Sequence, residues 1–184
     1  MAARDFMPFI TGSGGPRVRN APLTASESFR EGEMVALVDA GTLSELPQDD
    51  TQIILGDFDS GLLGGVAAMD GDTARTDGFA RNTGDMISYY PINDGNLFIT
   101  KKFVGAGTPD AAVVPAGTDV GESYQVAGID LIGGWAIEQT AGVRGVDLCA
   151  IVHQVLNSRM EPIGATDTTT GVWIVFELQL SVGT

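Results

Sequence analysis

The residue types that carry most enzyme chemistry are scarce in this chain and stand apart. There is one histidine, His153, and one cysteine, Cys149. His153 lies within an apolar run. A hydrolytic triad needs its histidine beside a nucleophile and an orienting acid, and the residues around His153 do not supply that setting. A strand or interface histidine is the simpler reading. Cys149 alternates into the same run as a small core residue rather than a nucleophile. A single cysteine excludes an intrachain disulfide. One histidine and one cysteine cannot build a usual zinc site without two carboxylates.

Two acidic clusters offer oxygen ligands. They are Asp57-Phe58-Asp59, and Asp70-Gly71-Asp72 with Asp77. Hard cations want several such loop oxygens, but the EF-hand spacing with its bidentate twelfth ligand is absent. Solvated, turn-forming aspartates are the simpler reading. Gly12-Ser13-Gly14-Gly15 is no phosphate loop, because no lysine follows it and no hydrophobic strand precedes it. Trp135, Trp173, Tyr89, Tyr90 and Tyr124 could form a sugar platform, although aromatic residues of β proteins more often belong to the core. No catalytic residue, metal or cofactor is therefore expected, and the chain reads as a non-enzyme.

Charge narrows the partners. The 184 residues carry a formal net charge of −14. That opposes nucleic-acid phosphates, which demand clustered Lys and Arg. It also opposes anionic membranes, and no apolar run approaches the length of a membrane span. Met7-Pro8-Phe9-Ile10 is too short for the apolar region of a signal peptide, so synthesis in the cytosol is expected.

The elements that must position any site are strands. Glycine numbers 25 of 184, about twice the usual ~7%, and the apolar runs are short, as in a turn-rich all-β chain. In the run 172–180, Val172, Ile174, Phe176, Leu178 and Leu180 share one side at period two. In the run 146–156, Val146, Leu148, Ala150, Val152 and Leu156 share a side, with Gln154 the exception. These two runs most simply pair antiparallel. Their other sides are also apolar, with Cys149, Ile151 and Val155 on one and Trp173 and Val175 on the other. Both faces should then be covered. A loop of the same chain, or a subunit contact through Ile151, Trp173 and Val175, could cover the second.

Earlier runs follow suit. Gly32-Glu33, Gly84-Asp85 and Gly121-Glu122 each read as a turn leading into a strand. Asp94-Gly95 between two strand-like runs predicts a hairpin. Short strands are also expected at Met34–Val38, Ile53–Leu55, Val66–Met69, Ala112–Val114, Ser123–Val126 and Asp130–Ile137.

Residues 1–26 differ from the rest. They hold Pro8, Pro16 and Pro22, and Arg4, Arg17 and Arg19 against Asp5. This composition predicts an extended, irregular arm. Phe6, Phe9 and Ile10 would anchor it on a partner subunit, and the folded domain would be 27–184.

Several stretches resemble the small capsid decoration (cement, or head auxiliary) proteins of tailed bacteriophages. They are Glu27-Ser28-Phe29-Arg30-Glu31-Gly32-Glu33-Met34-Val35-Ala36-Leu37, Asp39-Ala40-Gly41-Thr42-Leu43, Gly65-Val66-Ala67-Ala68, and Gly84-Asp85-Met86-Ile87 leading to Tyr90-Pro91, and the resemblance closes on the β-rich C-terminal half, covering most of 27–180. The resemblance implies a compact all-β barrel or sandwich with an extended N-terminal arm. It implies binding to the outer surface of the expanded head, after assembly in the host cytoplasm. The partners implied are the major capsid protein and further copies of the chain, as a homotrimer at three-fold and quasi-three-fold positions. The arm residues Arg4, Phe6, Phe9, Ile10, Arg17 and Arg19 would touch the capsid. The alternative is a tail or fibre module that binds host glycan, which predicts exposed aromatics in the loops 73–83 or 157–171.

Overall fold

A computed structural model describes residues 5–9, 15–38, 41–46, 64–76, 78–128, 134–142, 147–167 and 169–180. The expected arm residues Arg4 and Ile10, the strand expected at Ile53–Leu55, and Asp57, Asp59 and Asp77 lie outside them.

Two sheets pack as a sandwich. The larger comprises β1 (Met7–Pro8), β7 (Leu97–Thr100), β13 (Trp173–Gln179), β12 (Cys149–Leu156), β10 (Ser123–Gly128), β11 (Trp135–Ala141), β8 (Phe103–Gly105) and β9 (Thr108–Ala112), in that spatial order. The smaller comprises β2 (Arg19–Pro22), β6 (Met86–Pro91), β5 (Gly65–Ala67), β3 (Met34–Val38) and β4 (Thr42–Glu45). A 3-10 turn at Gly117–Asp119 precedes β10.

Strand β13 forms as its alternation predicts. Ile174, Phe176, Leu178 and Leu180 enter the main core, and Trp173 and Val175 face away. It pairs antiparallel with β12. There the expected alternation fails halfway. Val152 pairs with Phe176 and Gln154 with Val175, so His153 is the extra residue of a bulge. One extra residue reverses the parity. Val155 therefore enters the main core and Leu156 the outer cluster, the reverse of the expected sides.

The smaller sheet curls until its edges meet. Leu23 of the chain after β2 bridges Leu43 of β4, and Thr24 N–H donates to the Leu43 carbonyl at 2.9 Å. Inside the curl Leu23, Phe29, Val35, Leu43, Ile87 and Tyr89 form a core of their own. The opposite side chains Met34, Ala36 and Val66 join Phe98, Trp135 and Phe176 in the main core. Tight curvature brings backbones close. A Cβ at Gly64 or Gly65 would strike the carbonyl oxygen of Val35 or Tyr90. The turns before β3, β6 and β10 have Gly32, Gly84 and Gly121 at positive φ, as their sequence predicts.

Asp94-Gly95 turns the chain, with Gly95 at φ 71°, but makes no hairpin. β6 lies in the smaller sheet and β7 in the larger. The turn is a corner between sheets.

Two N-terminal stretches among the described residues, Met7–Pro8 and Arg19–Pro22, belong to the sheets. β1 pairs with β7 and β2 with β6, and both β1 and β2 are edge strands, so one segment supplies an edge to each sheet. Phe6 is 1% exposed, in edge-on contact with Phe176 at 5.1 Å between ring centroids. The cause is that an extended, proline-bearing backbone also suits an edge strand, where a missing N–H breaks no inner ladder. Pro8 and Pro22 stand on such strands.

Candidate interaction surface

The outer face of β13 is covered by this chain itself. Ile99, Leu156 and Val175 are buried, with Met7, Phe9, Leu97 and Trp173 packed against them. Val175 is 1% exposed, so of the three residues expected at a subunit contact it is enclosed by its own N-terminal segment. Ile151 and Trp173 are half-buried. Lys101 Nζ lies 4.2 Å from the centroid of the Trp173 ring, which covers part of that side chain with a cation.

The 93–96 turn holds the incoming segment. The Asn96 side chain accepts from Arg17 N–H at 2.7 Å and donates to the Arg17 carbonyl at 3.2 Å. Arg19 pairs with Asp94 at 3.1 Å. Arg17 and Arg19, expected to reach a capsid, are thus engaged within the chain: Arg17 through its backbone and Arg19 through its guanidinium. Sequence reasoning missed Asn93 and Asn96. The available signal was an asparagine at each end of one turn.

His153 stands on the bulge with Nε2 3.4 Å from Glu177 Oε2. No hydroxyl or thiol partner completes a triad among the described contacts. Cys149 is buried, with Sγ 3.5 Å from the Asp147 carbonyl. Among the described residues no group of three His, Cys, Asp or Glu could hold a metal ion. Asp70 pairs with Arg75 at 2.7 Å and accepts from Glu31 N–H. Asp72 accepts from Ala74 N–H at 2.8 Å. Asp72 acts as a turn former, whereas Asp70 ties its loop to the chain at Glu31. Trp135, Tyr89 and Tyr124 are core residues, so the five aromatics do not share an exposed platform.

Buried carboxylates serve the fold. Glu27 accepts from Ser44 Oγ at 3.0 Å and from Glu45 N–H at 2.5 Å. Asp119 accepts from the Tyr124 hydroxyl at 2.6 Å and from Ala116 N–H at 2.7 Å. Burial, then the neighbouring Asp119, pushes the Tyr124 phenol well above its ordinary range. Burial also holds Asp5 and Glu33 above the usual carboxylate range.

What remains for a partner is loop surface. Phe79 is 73% exposed, with the Arg75 guanidinium 5.8 Å from its ring centroid. Met86, Val114, Val18 and Met160 are the other strongly exposed apolar side chains among the described residues. No helix among them is long and apolar enough to cross a membrane. Comparison with protein families, characterised proteins and solved structures finds no match to this chain.

Proposed function

We propose that this chain is a structural virion protein. It binds the outer surface of a tailed-phage capsid and cements neighbouring major capsid subunits, as a homotrimer at three-fold and quasi-three-fold positions. One observation carries the reading. The stretches that resemble decoration proteins are dispersed in sequence, yet they supply β3, β5 and β6, which are consecutive neighbours in the curled sheet, and the start of β4 beside them. The quoted stretches therefore lie side by side in one sheet. The acidic charge fits a subunit that stays soluble at high concentration until it docks.

The test is sedimentation with expanded capsids of the phage that encodes the chain, followed by negative-stain imaging. Added density on the outer surface, and a higher disruption temperature of decorated heads, are expected. Protein that stays in the supernatant with well-formed heads overturns the proposal.

A second reading has one observation in its favour. Phe79 is the exposed aromatic, in the 73–83 loop, that a glycan-binding fibre module predicts. Retention on host-surface glycan that is lost in Phe79→Ala would favour it over capsid binding.

A further inference from the structure

Asp5, Lys102 and Trp135 meet where the first strand enters the core, and the Glu33 carboxylate, which accepts from Arg30 N–H at 2.8 Å, is near enough to feel the Asp5 charge. The Asp5 carboxylate is buried. Its Oδ1 is in direct contact with Lys102 Nζ. Its Oδ2 accepts a hydrogen bond from the Trp135 backbone N–H at 2.7 Å. Phe6 N–H donates to the Gly32 carbonyl at 3.1 Å, which sets Asp5 alongside Glu33. The Asp5 side chain is 6% exposed and that of Lys102 25%, beside strongly buried chain neighbours. Phe6 follows Asp5 and Phe103 follows Lys102, and neither these nor Trp135 is more than 1% exposed. Backbone closes the remaining side. A Cβ on Gly134, at φ 96°, would strike Asp5 Oδ2, Asp5 Cγ and Lys102 Nζ.

We infer that Lys102 Nζ and Asp5 Cγ join in an intramolecular isopeptide bond, with Glu33 as the proton carrier. An amine held against one carboxyl oxygen, while a fixed donor holds the other, is the arrangement that amide formation requires. The step balances without an outside reagent. One proton passes from the Lys102 ammonium to the Asp5 carboxylate, leaving a neutral amine and a carboxylic acid. The Nζ lone pair attacks Cγ, and the carbonyl π electrons move to Oδ2, where Trp135 N–H stabilises the developing charge. Glu33 takes a proton from Nζ and delivers one to Oδ1. That oxygen leaves as water while the Cγ–Oδ2 double bond re-forms. The products are one secondary amide and one water. Burial raises both Asp5 and Glu33, which favours their neutral carboxylic acid forms. The bond would fasten the N-terminal segment to the residue before β8. The inference is independent of the capsid proposal.

Intact-mass spectrometry and peptide mapping of the folded full chain test it. The wild-type protein is expected to be lighter than its sequence mass by one water. Its tryptic digest should contain a branched peptide joining the segment that begins at Asp5 to the segment that carries Lys102. Lys102→Arg and Asp5→Ala should keep the full mass of their sequences. Glu33→Gln should form the bond about 100-fold more slowly, the lower end of general acid–base contributions. Peptide mapping of the wild-type chain decides the matter even if a variant fails to fold. Recovery of Asp5 and Lys102 only on separate linear peptides, at full intact mass, overturns the inference and leaves an ion pair. A water loss that persists in Lys102→Arg overturns it as well, because that water comes from elsewhere.

Discussion

The side-chain amide of Asn93 stands in for a strand partner of Leu180. Its Nδ2 donates to the Leu180 carbonyl at 2.7 Å, and its Oδ1 accepts from Leu180 N–H at 2.8 Å. The corner between the sheets is thereby fixed to the end of β13. Asn93 also sits at φ 63°, a conformation asparagine tolerates better than most residues. Asn93→Asp should destabilise the fold by about 1–3 kcal/mol, because a carboxylate cannot donate to the Leu180 carbonyl. Asn93→Gly keeps the backbone freedom and loses both hydrogen bonds, so a comparable loss in urea unfolding would separate bonding from conformation.

Phe6 is the second test of how the N-terminal residues are used. Phe6→Ala should cost about 3–5 kcal/mol, as for other buried phenylalanines. Removal of residues 1–9 should also lower the melting temperature of the isolated protein. Unchanged melting in both would mean that the segment is not part of the core.

Val175 and Trp173 should respond differently although they share a face. Val175→Asp places an unpaired carboxylate in an enclosed cluster and should prevent folding. Trp173→Ala removes a half-exposed ring and its contact with Lys101, whose cation–π part is about 0.5–1 kcal/mol. Circular dichroism should show a folded, modestly weakened protein. Equal effects of the two substitutions would mean the face is uniformly covered.

Glu33 imposes a pH dependence. Burial, opposed by the Arg30 N–H and reinforced by Asp5 and Glu45, raises its pKa above the ordinary 4.5. Above 4.5 the unfolded chain releases this proton first, so the folded state holds more protons and stability falls as pH rises, until the folded group also ionises. Glu33→Gln removes that fall. In a Lys102→Arg background, where neither protein can carry the Asp5–Lys102 bond, the Glu33→Gln chain should melt above its parent at neutral pH and match it at acidic pH. A larger gap on the acidic side would contradict the assignment.

The strands that alternate cleanly were legible in the sequence, β13 above all, because period two needs no distant information. In β12 the misfit at Gln154 was visible, but its meaning was not. A polar residue on an apolar side marks either an exception or a bulge, and the bulge at His153 reverses everything after it. Asp94-Gly95 announced a turn correctly. Turn chemistry reports local backbone, not which sheet the next strand joins. The contacts of the N-terminal segment were hidden for a related reason. Prolines, glycines and positive charge describe an extended chain, whereas its fixing contacts, such as Arg17 with Asn96, are far off in sequence. The candidate interaction surface was the least legible part, since what covers the outer cluster comes from Met7 and Phe9.

The joining of both sheets by the N-terminal segment has a consequence for biosynthesis. Asp5 finds its backbone donor 130 positions later, at Trp135, and β1 waits for β7. These residues leave the ribosome well before the partners they need, and are thus among the last to be satisfied. Such non-local closure slows folding and leaves apolar edges open meanwhile. Phe6 would be exposed on the nascent chain until the larger sheet is nearly complete, so a holding chaperone should be found on stalled chains that end before Trp135.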